Sequence, residues 1–148
     1  MLPRPISPAK VYRNDTLLPM ILYLASDLLW ATRIKATAED LGLAARPVRS
    51  LELLEARLKD TEPTGMVLDL EATEAAMQIL GRLRGVRAGE RERAIRIVAF
   101  APHVKVEVMR SAKEAGADEV MPRGAFDHGL AGILTRLGGG DNAAGRPS

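Results

Sequence analysis

The stretch Thr64-Gly65-Met66-Val67-Leu68-Asp69-Leu70-Glu71 decides how this chain folds. Its short apolar run is typical of a buried β-strand, which we predict from Gly65 to Leu70. The run delivers a single acid, Asp69, to its end. Because ligands and reacting groups collect at the carboxyl ends of the strands in an open α/β sheet, Asp69 is the first residue to consider for chemistry.

Length and composition limit the class of protein. The chain has 148 residues, of which 47% are hydrophobic, which is enough for one domain with a normal core. Its longest apolar runs, such as residues 17–25, fall short of the roughly 20 residues that a membrane-spanning helix needs. Pro3, Pro5 and Pro8 stand where a signal peptide has its apolar region. We therefore expect neither a membrane span nor a signal peptide.

Cysteine content, charge and aromatic content narrow the class further. The sequence has no cysteine, which excludes disulfides and thiolate metal sites and is compatible with the cytoplasmic location that we expect. The net charge is only +2, and five aromatic residues are too few for a base-stacking platform. We therefore do not expect this chain to bind nucleic acid.

Apolar runs alternate with segments of helical periodicity along the chain. The runs predict five strands, at residues 20–25, 43–48, 65–70, 95–100 and 118–121. A helix is predicted after each strand, and the last one covers residues 126–137. Ser26 is placed to cap the first helix and Gly42 to end it. Because each crossover is right-handed and covers one face, this order predicts a three-layer α/β fold with a parallel sheet.

Three finer expectations follow from the same pattern. Pro47 indicates that the second strand lies at an edge of the sheet, since proline cannot donate to a central ladder. Residues 86–94 are predicted to form a charged, solvated connection. The first helix is predicted to turn one apolar stripe toward the core, namely Leu29, Trp30, Ile34, Ala38 and Leu41.

The domain boundaries follow from composition. Residues 1–18 carry three prolines and no sustained periodicity, so we expect an arm that is disordered or docked on a neighbour. Residues 19–138 form the predicted domain. Residues 139–148 follow a glycine run and are expected to be a flexible tail.

Two passages resemble the receiver domain of bacterial response regulators, the CheY-like family. Ser111-Ala112-Lys113-Glu114-Ala115-Gly116-Ala117-Asp118-Glu119-Val120-Met121 is similar to the passage that leads into the fifth strand of that family. Residues 21–24, followed by residues 34–42, resemble its first strand and helix. The resemblance covers about residues 19–138 and implies a flavodoxin-like sheet in the order 2-1-3-4-5.

The resemblance also implies where a phosphorylation site would lie. The phosphoacceptor position matches Asp69, and the magnesium-binding acid pair falls on Ala25 and Ser26. The switch hydroxyl falls on Ala101, and the family's lysine is matched by Arg123. Magnesium prefers carboxylate and phosphate oxygens, and a phosphorylated state needs a contact that the resting state lacks. These departures imply a degenerate receiver, or pseudo-receiver.

We expect a non-catalytic signalling or regulatory protein that acts through protein–protein contacts, needs no cofactor and is not switched by phosphorylation. The resemblance implies an interaction face, which could also support a homodimer, made of Lys105, Val106, Arg110, Asp118, Glu119 and parts of residues 126–137. One alternative is a working receiver that is phosphorylated on Asp69 with magnesium bound. Another is a module that binds a small ligand or nucleotide between the first and third strands, in a crevice lined by Ala25, Ser26, Asp69 and Ala101.

Several other residue patterns have a structural and a functional interpretation. Asp69 could be a structural acid paired with Arg123. His103 and His128 lack a nearby acid cluster, so no metal site is expected, and a triad of Ser26, His103 and Asp69 has no supporting motif. Arginines crowd residues 82–96 and form either a solvated helix end or a patch for an anionic partner: Arg82, Arg84, Arg87, Arg91, Arg93 and Arg96.

Overall fold

The structure is a computed structural model that describes residues 19–139. The strands are β1 Met20–Leu24, β2 Ala44–Pro47, β3 Pro63–Asp69, β4 Arg96–Ala101 and β5 Glu119–Pro122. The helices are α1 Leu28–Asp40, α2 Leu51–Asp60, α3 Thr73–Arg84, α4 Glu90–Arg93, α5 Val106–Glu114, α6 Arg123–His128 and α7 Leu130–Leu137. The predicted arm, and the predicted tail except Gly139, lie outside the described residues. No helix in the described range has the length and hydropathy to cross a membrane.

All five strands are parallel and lie in the order β2-β1-β3-β4-β5, as the resemblance implied. The central strand β3 pairs on both sides, with Leu68 opposite Leu24 of β1 and Ala99 of β4. The short strand β2 lies at an edge and ends on Pro47, which confirms the role predicted for that proline. The fold is therefore the predicted flavodoxin-like α/β sandwich.

Two apolar cores cover the two faces of the sheet because successive strand residues point to opposite sides. Leu22, Met66 and Leu68 pack with α2, α3 and α5 on one face. Tyr23 and Val67 pack with α1, α6 and α7 on the other. Gly65 allows α7 to approach β3 closely, since a Cβ atom there would lie 2.5 Å from Cβ of Leu137.

The first helix differs from its prediction at its cap and along its inward stripe. Asp27, not Ser26, is the N-cap, and its side chain accepts a hydrogen bond from the backbone N–H of Trp30 at 2.9 Å. Trp30, Ile34 and Ala38 are buried as predicted, but Leu29 is 67% exposed and Leu41 39% exposed. The prediction was wrong for these two leucines because their steps in sequence fit a wide stripe, whereas α1 buries a narrow one.

Two segments differ from their predicted secondary structure. The connection at residues 86–94 contains the short helix α4 and is not a plain solvated loop. The single helix predicted at residues 126–137 is two helices, α6 and α7, which meet at Gly129. Glycine lowers helix propensity by about 1 kcal/mol relative to alanine, so a break at Gly129 costs little.

Candidate functional site

The candidate site lies at the carboxyl edge of the sheet, where the ends of β1, β3 and β4 are neighbours. Asp69 is the last residue of β3, and Ala101 is the last residue of β4. Ala25 and Ser26 follow β1 directly, and Arg123 follows β5 as the first residue of α6. The fold therefore collects all five sequence-predicted site positions at one edge, as the parallel sheet requires.

Asp69 is fully buried, with no exposed surface, and is the one charged residue in the core of the described chain. Its Oδ2 atom accepts two hydrogen bonds from Ser26, from the backbone N–H at 2.9 Å and from the hydroxyl at 2.6 Å. Its Oδ1 atom accepts the backbone N–H of Glu71 at 3.0 Å. These three donors offset the cost of burying a carboxylate.

The hydrogen bonds of Asp69 join two turns that are far apart in sequence. Ser26 belongs to the β1–α1 turn, which is 43 residues away from Asp69. The backbone C=O of Asp69 also accepts the N–H of Ala72 at 3.0 Å, and the Thr73 hydroxyl donates to the C=O of Leu70 at 2.6 Å. Asp69 therefore fixes the β3–α3 turn and holds it against the turn after β1.

The role of Ser26 was the part of the site that sequence reasoning missed. Its hydroxyl is committed to Asp69, which explains why the neighbouring Asp27 caps the helix instead. The one signal in the sequence is the pair Ser26-Asp27, which offers two capping side chains for one helix start. That signal does not name Asp69 as the partner.

Arg123 does not pair with Asp69, so that structural prediction was wrong. The ion pairs formed between residues 19 and 139 include none between these two side chains, and the Nε atom of Arg123 is buried without a hydrogen-bond partner there. The hydrogen bonds that Asp69 accepts come from Ser26 and Glu71 instead. Arg123 therefore supplies no counter-charge to the acid.

Ala101 is 1% exposed and offers only a methyl group at the end of β4. Its neighbour Phe100 belongs to an aromatic cluster on the α1 side of the sheet. The rings of Phe100 and Phe126 are stacked 4.1 Å apart, and the ring of Trp30 lies 5.1 Å from Phe100. Apolar side chains therefore surround the end of β4.

The other chemistry considered from the sequence finds no supporting geometry. Across the described chain, no three metal-ligating side chains come together. His103 is exposed in the turn after β4, His128 is exposed at the end of α6, and neither contacts Asp69. Since Asp69 is buried, it does not line an open crevice between β1 and β3. The triad that the sequence already left without a supporting motif, and the ligand crevice offered as an alternative, both lack the geometry they need.

Most arginines of the arginine-rich stretch are exposed, but several of their side chains also hold the chain together. The guanidinium of Arg84 donates to the backbone C=O groups of Gly116 at 3.0 Å, Glu92 at 3.1 Å and Ile95 at 2.6 Å. It also contacts Asp118 at 3.0 Å. Arg84 therefore ties the end of α3 to α4, β4 and the α5–β5 turn.

Three more arginines of this stretch connect separate parts of the chain: Arg82, Arg91 and Arg93. Arg82 lies 2.6 Å from Glu55 of α2, and this hydrogen bond is the main reason that its pKa is raised. Arg91 donates to the backbone C=O groups of Leu58 and Thr61, and Arg93 donates to that of Gly85. Both interpretations drawn from the sequence missed this role, because a sequence does not show which backbone C=O groups accept hydrogen bonds from a side chain.

The predicted interaction face lies on α5 and β5. Some of its residues are exposed, and others are held by ion pairs or hydrogen bonds. Lys105, Val106 and Arg110 are exposed, with Val106 at 53%. Asp118 is engaged by Arg84 and by the backbone N–H of Ile97, and Glu119 lies 3.2 Å from Arg136. A shallow groove of about 610 Å³ runs between α5 and β5, with Val106, Met109, Val120 and Met121 among its lining.

Solved structures with this architecture are receiver domains. A response regulator receiver protein from Burkholderia phymatum has a TM-score of 0.63 at 18% identity, covering 82% of this chain and 95% of its own. A signal receiver domain from Bermanella marisrubri has a TM-score of 0.67 at 18% identity, covering 80% and 96%. The CheY-like protein tadZ from Pseudomonas aeruginosa has a TM-score of 0.63 at 22% identity, covering 81% and 99%.

Neither the comparison with protein-family models nor the comparison with curated sequences finds a match. The chain has the CheY-like receiver fold of response regulators, with the strand order and the length of single receiver domains. At identities of 18 to 22%, the likeness defines the fold. What the edge of this sheet does has to be argued from its own residues.

Proposed function

We propose that this chain is a receiver-fold protein of bacterial signalling that works by binding another protein and is not switched by aspartyl phosphorylation. In this proposal it is non-catalytic, needs no metal or cofactor and acts in the cytoplasm. The observation that carries the proposal is Asp69, a fully buried carboxylate whose two oxygens accept three hydrogen bonds from the chain itself.

Phosphoryl transfer to Asp69 would need changes that the site does not support. A phosphoryl donor must reach a carboxylate oxygen, and a cation must neutralise the charge on the transferred group. Asp69 has no exposed oxygen, and the positions beside it carry Ala25 and Ser26 in place of acids. Ala101 offers no hydroxyl that could bond a phosphoryl group. A phosphorylated state would gain no contact over the resting state, so it would shift no equilibrium.

Titration of the ¹⁵N-labelled chain with beryllofluoride and magnesium tests this part of the proposal. Beryllofluoride imitates a phosphoryl group on an accessible aspartate. We expect no saturable shift of the amide signals of Leu70, Ala101 or Ser26 up to about 10 mM magnesium. Saturable shifts at these amides, lost in Asp69→Asn, would show a working phosphoacceptor and overturn the proposal.

The exposed part of the α5–β5 face supports a protein partner. Val106 is 53% exposed, begins α5 and lines the groove that contains Met109 and Met121. Methionine side chains adapt to the shape of an apolar partner. Arg110 also lines the groove, and within residues 19–139 it forms an ion pair with Glu107 of its own helix, at 3.0 Å. This arrangement fits a partner that inserts an apolar side chain and presents an acidic group.

Site-specific photo-crosslinking in the native host tests the face. A benzophenone amino acid at Val106 should give one dominant adduct, and Arg110→Glu should abolish it. Val86 is the matched control, because it is 99% exposed but lies after α3, away from this groove. Equal adducts from positions 86 and 106, or no adduct from 106, would contradict the assignment. An adduct of twice the chain mass would identify the partner as a second copy.

A further inference from the structure

We propose that the cavity between α1 and the edge strand β2 binds a small anionic molecule with an apolar body. We call it the Tyr23 pocket, and its lining includes Tyr23, Leu28, Ala31, Thr32, Lys35 and Arg49. Its lining includes Ala25, which follows β1, but neither Asp69 nor any residue of the α5–β5 face. The proposal is independent of the function proposed above, since it needs neither a protein partner nor phosphorylation.

The pocket exists because the edge of the sheet is only partly covered on this face. Tyr23 of β1 lies opposite Pro47 of β2, and α1 packs above them. Leu28, Ala31, Thr32 and Lys35 recur at helical spacing and so form one stripe of α1, which is the upper wall of the pocket. The small side chain of Ala31 leaves a cavity of about 250 Å³ above the tyrosine.

Polar groups converge on this cavity. Tyr23 is only 2% exposed, yet its hydroxyl has no hydrogen-bond partner among residues 19–139. Burial raises the pKa of Tyr23, while the charges of Lys35 and Arg49 act to lower it. The phenol therefore stays protonated at neutral pH and can donate, and both cations lie near enough to act on it. A ligand acceptor placed in the cavity would receive a hydrogen bond from this hydroxyl.

The charge around the Tyr23 pocket selects an anion. Glu39 is the acid that faces Tyr23, and it already holds Lys35 at 2.8 Å, an ion pair that raises the pKa of Lys35. Arg49 makes no ion pair within the described chain. One guanidinium, one phenol hydroxyl and the Thr32 hydroxyl are thus left to receive a carboxylate or a similar group. Leu28, Ala31 and Pro47 give the apolar walls.

The size of the pocket limits the ligand. At about 250 Å³ it is smaller than the roughly 300–1,000 Å³ of pockets that take drug-sized molecules. A ligand of about ten non-hydrogen atoms fits, and ligands of that size in a partly open site bind with about millimolar affinity. Benzoate has the required size, one carboxylate and a flat apolar body. Benzamide has the same shape without the charge, and inorganic phosphate has the charge without the apolar body.

NMR titration of the full chain with these three probes tests the proposal. We expect benzoate to shift the amide signals of Ala25, Ala31 and Thr32 saturably, with benzamide at least about fivefold weaker, as loss of one charged contact implies. Benzoate that does not saturate by about 50 mM, or benzamide that binds equally well, would overturn the proposal. Phosphate that binds as tightly as benzoate would also overturn it, because the pocket would then be an inorganic-anion site.

Three variants locate the site. Arg49→Gln should weaken benzoate about threefold to tenfold, and Tyr23→Phe should weaken it while leaving the ring packing in place. Arg46→Gln is the matched control, because Arg46 is exposed on β2, three residues before Arg49, but does not line this pocket. Equal loss of affinity in Arg46→Gln and Arg49→Gln would mean that benzoate responds only to net charge. That result would overturn the assignment of the site.

Discussion

The Ser26 hydroxyl donates a 2.6 Å hydrogen bond to Oδ2 of Asp69, and the backbone N–H of Ser26 donates to the same atom at 2.9 Å. This pair joins the ends of two adjacent parallel strands at the edge where the fold gathers its candidate site. It places a hydroxyl where a magnesium-binding receiver would need a second acid.

Ser26→Ala should destabilise the fold by about 1–2 kcal/mol, because the variant loses a hydrogen bond to a charged group while the backbone N–H still contacts Asp69. Urea unfolding followed by circular dichroism measures the change. Ser111→Ala serves as the control, since Ser111 is exposed on α5 and its hydroxyl makes no hydrogen bond within residues 19–139. A loss of the same size in both variants would argue against a special role for Ser26.

Asp69→Asn should destabilise the fold by about 2–3 kcal/mol. An amide offers one acceptor oxygen in place of two, so its NH₂ group would face a donor from Ser26 or Glu71. In a cluster of acids the same change would relieve like-charge repulsion and raise stability, so the sign of the change is diagnostic. Asp40→Asn, at the exposed end of α1, should change the unfolding free energy by less than about 0.5 kcal/mol.

Arg84→Lys should lower the free energy of unfolding by about 2–4 kcal/mol, although the substitution keeps the positive charge. The guanidinium reaches the backbone C=O groups of Gly116, Glu92 and Ile95 from different nitrogens, and a single ammonium cannot. Hydrogen exchange should show lost protection in α4 and at the start of β4. Arg87→Lys is the internal comparison, because Arg87 is exposed and makes no ion pair within the described residues. If Arg84→Lys did not change the free energy of unfolding, the charge of Arg84 would be the only property of this side chain that matters for stability.

Glu92 should make stability depend on pH in the acid range. The pKa of Glu92 is lowered from its ordinary value of 4.5, chiefly because its carboxylate accepts the backbone N–H of Gly89, and the charge of Arg82 adds to this. Its contribution is therefore fully present above pH 4.5 and is lost as pH falls through the lower pKa of the folded state.

Glu92→Gln should consequently be less stable than the parent chain at neutral pH, and the two should converge in acid. Urea midpoints measured from about pH 7 to about pH 3 test this expectation. Glu90→Gln is the matched control for the loss of one acidic charge, because Glu90 lies in the same short helix and its carboxylate makes no ion pair in the described chain. A gap that widens as the pH falls would reverse the assigned sign.

The element pattern was readable from the sequence because it depends on local periodicity. Continuous apolar runs predicted β1, β3 and β4, and Ser50, a capping residue directly before Leu51, caps α2. Gly116 follows α5 at φ +115°, and it leaves room for Arg84, since a Cβ atom there would lie 2.6 Å from Cγ of Arg84. The strand order came from the resemblance in residues 111–121, since periodicity does not fix it.

The exposed leucines and the divided last helix show where periodicity stops being sufficient. Leu29 and Leu41, which were predicted on the inward stripe of α1, are 67% and 39% exposed. Whether an apolar residue is covered depends on which element packs above it, and the sequence of one helix does not contain that information. The break at Gly129 was missed because the apolar pattern continues through it from Phe126 to Leu137.

The sequence by itself determined the alternation of strands and helices, the edge position of Pro47 and the acid at the end of the central strand. Only the tertiary structure decided that Asp69 is buried, that Ser26 rather than Arg123 satisfies it, and that Arg84 fastens four elements together. The physical reason is the separation in sequence over which each interaction acts. Apolar spacing acts over a few residues, whereas the Ser26–Asp69 bond joins side chains 43 residues apart and depends on strand register and side-chain direction.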